Sequence, residues 1–190
     1  MAQVDDPQAR TRCELVVPDA GPLITLAYAG RLDLLLAPGI DVVVVDMVRH
    51  ELTRSATPTS RQILEFLSQP RIRITETDTG REAGARGPDF RRRHAGERAI
   101  QDFLFDQWDR SATPGCALLL FEDHTIAGTT FVLPDNVFLL STRAFLQTLQ
   151  QRGYLESADA VLDAALAAGR QCSLRLIRQP PKAAPDTEPF

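Results

Sequence analysis

The chain has 190 residues, 44% of them hydrophobic and 24% charged, which suits one globular domain with a real core and argues against wholesale disorder. A net charge of −4 counts against a protein that grips long nucleic acid through bulk charge alone, yet leaves room for a small acidic centre beside a local basic patch. Cys13, Cys116 and Cys172 are odd in number and far apart, so a disulfide framework and a zinc knuckle are both disfavoured and the thiols are expected to stay reduced, as in a cytoplasmic protein.

The first twelve residues are polar and show no secretory apolar core. Glu14-Leu15-Val16-Val17 reads as a short buried strand. Asp19-Ala20-Gly21 turns the chain, Pro22 suits the first position of a helix, and Gly30 stops it. Residues 31–36 read as a second small helix. Val42 to Val45 form a β-branched run typical of a strand buried on both faces, and Asp46 is placed to cap the helix after it. Residues 61–68 read as a helix. Arg71-Ile72-Arg73-Ile74-Thr75 alternates as a strand near a sheet edge does. The glycine-rich, charged stretch 78–88 reads as a loop.

The longest helical pattern runs from Asp89 to about Asp109, with Ile100, Phe103, Leu104 and Trp108 facing inward. Residues 117–121 form a strong central strand, followed by a short helix over 123–129 and another strand over 137–140. Ser141 caps a helix that Gly153 ends, and Ala158, Val161, Leu162, Ala165 and Leu166 mark a last helix closing near Gly169. One domain over residues 14–169 is therefore expected, with a C-terminal extension, 170–190, whose prolines predict a largely disordered tail. The longest apolar region, 15–38, is broken by Asp19, Arg31 and Asp33, so no membrane span is expected. Strands alternating with helices predict a three-layer α/β fold, a mostly parallel sheet flanked by helices, with ligands at the carboxyl ends of the strands.

Four acids stand at the ends of apolar runs: Asp19, Glu51, Glu97 and Asp123. Only a fold could bring them together. Two carboxylates about 5 Å apart repel by roughly 3 kcal/mol at an effective dielectric of about 20. A cluster of them is neutralised by a divalent cation or by protonation, and oxygen ligands select hard ions such as magnesium or manganese. The structural alternative is ordinary: Asp19 as a helix cap, Glu51 as a solvated helix residue, Glu97 as a first-turn acid favoured by the helix dipole.

The surrounding residues favour the site. Val16-Val17-Pro18-Asp19-Ala20-Gly21-Pro22-Leu23-Ile24-Thr25-Leu26 resembles the opening of PIN-domain nucleases, in which a strand delivers an aspartate into a small-residue turn. Val48 with Glu51-Leu52 is similar to that family's second acidic segment, Gly96-Glu97-Arg98-Ala99-Ile100 to its third, and residues 118–123 to its strand ending in an acid. The resemblance spans about residues 14–169 and is nearest to small VapC-like toxins and their solitary relatives. It implies a PIN-like fold and a magnesium- or manganese-dependent endoribonuclease, with Asp19, Glu51, Glu97 and Asp123 as catalytic metal ligands. It also implies hydrolysis leaving a 5′-phosphate, an RNA substrate, an antitoxin partner, a homodimer and a cytoplasmic location.

The sequence departs from that pattern in places. Gly21 stands where many relatives carry a hydroxyl near the metal. Asp46 adds an acid before the second helix. Glu122 precedes Asp123 and competes with it for the fourth position, so Glu122 and Asp46 rank second. The basic run Arg91-Arg92-Arg93 is a candidate RNA grip, with a solvated face as its alternative. His50, His94 and His124 each neighbour an acid and read as solvated side chains. A catalytically weakened PIN-fold module binding protein or RNA is the rival reading. A phosphotransfer receiver is disfavoured, because Asp19 has no acidic neighbour in its loop and Lys182 is the only lysine.

Overall fold

The computed structural model describes residues 12–87, 94–108, 115–122, 132–182 and 187–190. Its centre is a six-stranded sheet built from β1 (Cys13–Pro18), β2 (Asp41–Val45), β3 (Ile72–Thr75), β4 (Cys116–Phe121), β5 (Val137–Ser141) and β6 (Arg178–Gln179), in the order β3-β2-β1-β4-β5-β6. The first five strands are mutually parallel, and β6 pairs antiparallel with β5. Every residue of β4 and of β5 is buried. Successive side chains point to opposite faces, so both faces of the sheet's centre are covered.

The helices are α1 (Ala20–Tyr28), α2 (Asp46–Thr53), α3 (Ser60–Leu67), α4 (Asp78–Arg86), α5 (Ala95–Phe103), α6 (Thr142–Gln151) and α7 (Ala158–Ala167). A 3-10 turn spans Leu32–Leu35, and a π-helical turn, Leu104–Trp108, continues α5. Most elements stand where apolar periodicity puts them. Leu23, Leu26 and Ala27 carry α1 into the core, and Gly30 ends it at φ +66°. The Ser141 hydroxyl accepts from Ala144 N–H and caps α6. Among the described residues no helix is long and apolar enough to cross a membrane.

Three expectations are corrected. Residues 78–86 form a helix, not a loop. Thr77 caps it by accepting from Gly80 N–H, and Arg86 pairs with Glu82 along its surface. Two aspartates then tether it. Asp46 accepts from Thr77 N–H and hydroxyl, and Asp102 accepts from Thr79 N–H and hydroxyl at 2.8 and 2.7 Å. Tertiary hydrogen bonds thus outweigh the weak helix propensity of Gly80 and Gly84.

The tail is also not loose where it is described. Residues 178–179 add β6 to the sheet, and Phe190 is buried edge-on against Phe145 and Tyr154. Glu188 pairs with both Arg152 and Arg178. Hydrophobic burial and ion pairing offset the chain entropy that a proline-rich composition was expected to leave unopposed.

The third correction concerns the thiols. Cys13 and Cys116 form a disulfide between β1 and β4, while Cys172 is free. Parallel pairing puts the two cysteines opposite one another across 103 residues of sequence, a proximity that spacing alone does not reveal. The expectation of three reduced thiols therefore fails. Closing a loop of that length stabilises a fold by up to about 4.7 kcal/mol in the chain-entropy account. Replacing both cysteines (Cys13→Ala with Cys116→Ala) is expected to lower Tm by roughly 10 °C, since about 1 kcal/mol moves a domain of this size by about 2–4 °C. An unchanged melting midpoint in a thermal scan would show that the bond adds nothing.

Candidate functional site: an acidic crevice at the sheet's switch point

Strands run outward from β1 to β2 to β3, then the chain returns past β1 to β4 and continues outward to β5. The direction of winding reverses between β1 and β4. At such a point the connections diverge and leave a crevice outside the carboxyl ends of the two strands. Asp19 follows β1 and Glu122 follows β4, so both sit at that crevice.

The backbone sets Asp19 there. Pro18 pairs with Leu120 in the β1–β4 register, and Asp19 N–H donates to the Leu120 carbonyl at 2.9 Å. This ties the first residue past β1 to the end of β4. The Asp19 carboxylate makes no capping hydrogen bond to α1, which sets aside the simplest structural role for it.

Glu51 arrives from α2. Val48 and Glu51 are three residues apart and so share one helix face, which packs on α5 at Gly96. A Cβ built on Gly96 would lie 3.4 Å from Val48 Cγ2, 3.5 Å from Glu51 Oε2 and 3.8 Å from Asp19 Oδ1. The two carboxylate oxygens are therefore no farther apart than the sum of the last two distances. A Cβ at Gly96 would meet all three at ordinary contact distance, so this residue marks where α2 and the end of β1 both come up to α5. Residues 32 positions apart in sequence meet at the residue before Glu97.

Glu97 lies in the first turn of α5, with its side chain 21% exposed. Its Oε1 stands 2.9 Å from His94 Nδ1. His94 occupies the position just before the helix in a left-handed conformation (φ 59°), which costs on the order of 1 kcal/mol for a residue with a side chain. That strain accompanies a defined contact, so His94 is a partner of Glu97 and not a merely solvated ring. His50 is exposed, as expected.

Among the described residues Glu122 is the most buried of the candidate acids, at 9% exposure. Arg170 Nη2 donates to its Oε2 at 3.0 Å, and its Oε1 has no partner among the described residues. Breaking a buried ion pair by removing one partner typically costs about 3–5 kcal/mol. Gly21 lies directly beneath: a Cβ there would come 2.8 Å from Glu122 Cβ. Gly21 is therefore a steric requirement of Glu122, and a hydroxyl-bearing side chain has no room there. Nearby Cys172 has its thiol pKa pushed up, first by burial and then by the Glu122 charge.

Asp46, the other second-rank acid, is occupied structurally. Its oxygens accept from Met47 N–H, Thr77 N–H and the Thr77 hydroxyl at 2.8, 3.0 and 2.8 Å. Asp123, His124 and Arg91, Arg92 and Arg93 lie outside the described residues. Among the described residues, no three of His, Cys, Asp and Glu are gathered into a ready-made cation shell. Asp19 and Glu51 nonetheless supply paired oxygen donors of the kind that hard divalent cations take. Sequence reasoning missed Arg170, which comes from the supposed tail and carries no local signal.

These features define an α/β protein with an acidic crevice at the switch point of a mostly parallel sheet. No protein-family model matches the sequence, and no curated protein is similar to it. Among solved structures the chain is similar to that of the PIN domain endonuclease Utp24, with 13% identity over 67% of this chain and 84% of that one, at a TM-score of 0.46.

The Gly21 contact makes a checkable statement. Gly21→Ser is expected to displace Glu122 from Arg170 and to lower Tm by several degrees, whereas Gly84→Ser, where a Cβ meets nothing within 4 Å, should change Tm far less. Equal melting curves for the two variants would remove the steric role assigned to Gly21.

Proposed function

We propose that this protein is a magnesium- or manganese-dependent endoribonuclease of the PIN type. The observation that supports the reading best is the convergence of Asp19 and Glu51 on Gly96, beside Glu97, at the end of β1 where the sheet reverses. Three separate segments of the kind that resemble PIN motifs meet at one crevice.

In this reading Asp19 and Glu51 hold the cation, Asp123 completes the set, and Glu97 orients the attacking water. The bound ion would polarise the phosphate and lower the pKa of water. His94 sets the rotamer of Glu97 through its 2.9 Å contact. Glu122 is assigned outside the ligand set because Arg170 already occupies one of its oxygens. Arg91, Arg92 and Arg93 are the proposed phosphate grip, because phosphate contacts position a substrate without reading its bases. A toxin-like role with a small protein antitoxin, a homodimer and a cytoplasmic setting belong to the same proposal.

A second reading is a PIN-like binding module with a weakened centre. It draws on the contact of Glu97 with His94 and on the lack of three gathered ligands among the described residues.

Asp19→Asn separates the two. A nuclease should lose about 100-fold or more in cleavage of a single-stranded RNA with manganese, equivalent to about 2.7 kcal/mol of barrier, while its thermal melt is retained. Calorimetric titration with Mn²⁺ should show binding to the native protein and a marked loss in the variant. No heat and no cleavage in the native protein would leave the binding-module reading standing, and unaltered turnover in the variant would take Asp19 out of the mechanism.

A further inference from the structure

The segment after α7 enters the acidic crevice. Gly169, at φ +93°, ends the helix, and Arg170 N–H folds back onto the Ala165 carbonyl at 3.0 Å. From there the Arg170 guanidinium makes two contacts. Nε donates to the Thr25 hydroxyl at 3.0 Å, and Nη2 donates to Glu122 Oε2 at 3.0 Å. Thr25 is fully buried on α1, the helix that starts after Asp19. Glu122 is the residue after β4 and the one before Asp123 in sequence. One planar group therefore spans the two sides of the switch point, 145 residues from one partner and 48 from the other.

We propose that Arg170 is a positioning residue of the acidic centre. It clamps the end of β4 to α1 and so fixes the spacing between Glu122 and the start of the helix that follows Asp19. It also compensates the buried Glu122 carboxylate and keeps it from competing as a ligand with the neighbouring acids. A guanidinium suits the task better than an ammonium, because its fixed fork can hold a hydroxyl and a carboxylate at once, whereas an ammonium is a point charge on a flexible stem. The proposal rests on the nuclease reading and extends it to residue 170, outside the span that resembles PIN domains. Glu122 Oε1, buried without a partner among the described residues, is consistent with a carboxylate held for its position and not for saturation of its hydrogen bonds.

The test compares the full chain with Arg170→Ala, Arg170→Lys, Glu122→Gln, Thr25→Val and the Glu122→Gln/Arg170→Ala pair, in RNA cleavage with manganese. Arg170→Ala should lose tenfold or more in kcat with KM for RNA changed less than twofold. It should also weaken Mn²⁺ binding several-fold in calorimetric titration, without RNA present, and raise the Mn²⁺ concentration that gives half-maximal cleavage. Arg170→Lys should recover part of the loss, and the double variant should be no worse than Arg170→Ala, because both changes break one clamp. Should Arg170→Ala fail to fold, the near-isosteric Thr25→Val and Glu122→Gln each cut one arm and should still lower kcat several-fold. If native protein cleaves RNA and these variants keep kcat and the manganese midpoint within twofold, Arg170 is only a structural anchor and the proposal is overturned. If native protein neither cleaves nor binds manganese, the nuclease reading itself falls and this proposal with it.

Discussion

The pairing of β1 with β4 is the constraint on which the rest of this molecule depends. It joins two strands more than a hundred residues apart in sequence and is made parallel, so it must be closed by a long crossover. At one end of the pair stands the Cys13–Cys116 disulfide. At the other end the Asp19 amide bonds the Leu120 carbonyl. Between them Val16, Val17 and Pro18 run opposite Leu118, Leu119 and Leu120, all buried. A slip of one residue would send every side chain of β1 to the wrong face, so burial on both sides sets the register firmly. That register fixes where Asp19 leaves the sheet relative to Glu122, and hence whether there is a crevice with acids on both walls.

Small residues stand where the walls come close. Gly96 lies where Glu51 and Asp19 both come up to α5, and Gly21 makes room for Glu122 over the start of α1. A side chain at Gly21 would displace Glu122, whereas a Cβ at Gly96 would only touch its neighbours at ordinary contact distance. Packing from behind holds the acids in place, together with the Arg170–Glu122 pair across the switch point. Val48 at Gly96 and the buried valines of β2 provide that backing.

Each acid near the crevice meets a different partner, and the partner separates its role. Asp46 is satisfied by two N–H groups and a hydroxyl, as befits a tether for α4. Glu122 is bound by a guanidinium from beyond α7. Among the described residues Glu97 meets an imidazole held in a strained backbone conformation. Asp19 and Glu51 both come up to Gly96 on α5. Carboxylates already tied up by strong donors, as Asp46 and Glu122 are, are poor candidates for holding a cation.

Much of the fold was legible in the chain. The valine run of β2, the apolar stretch of β4 and the helix-ending glycines carry local physics, and their elements appear within a residue or two of where periodicity puts them. The positions of Asp19, Glu51 and Glu97 at element ends were legible for the same reason. Three things were not: the helix at Asp78–Arg86, the cystine between β1 and β4, and the reach of Arg170 to Glu122. All three depend on partners 23 to 145 residues away, Asp102 for the helix and Thr25 for the arginine among them. Periodicity and propensity report what a segment gains from its own neighbours. What it gains from a distant side chain is settled only when the sheet has closed and brought that side chain within hydrogen-bonding distance.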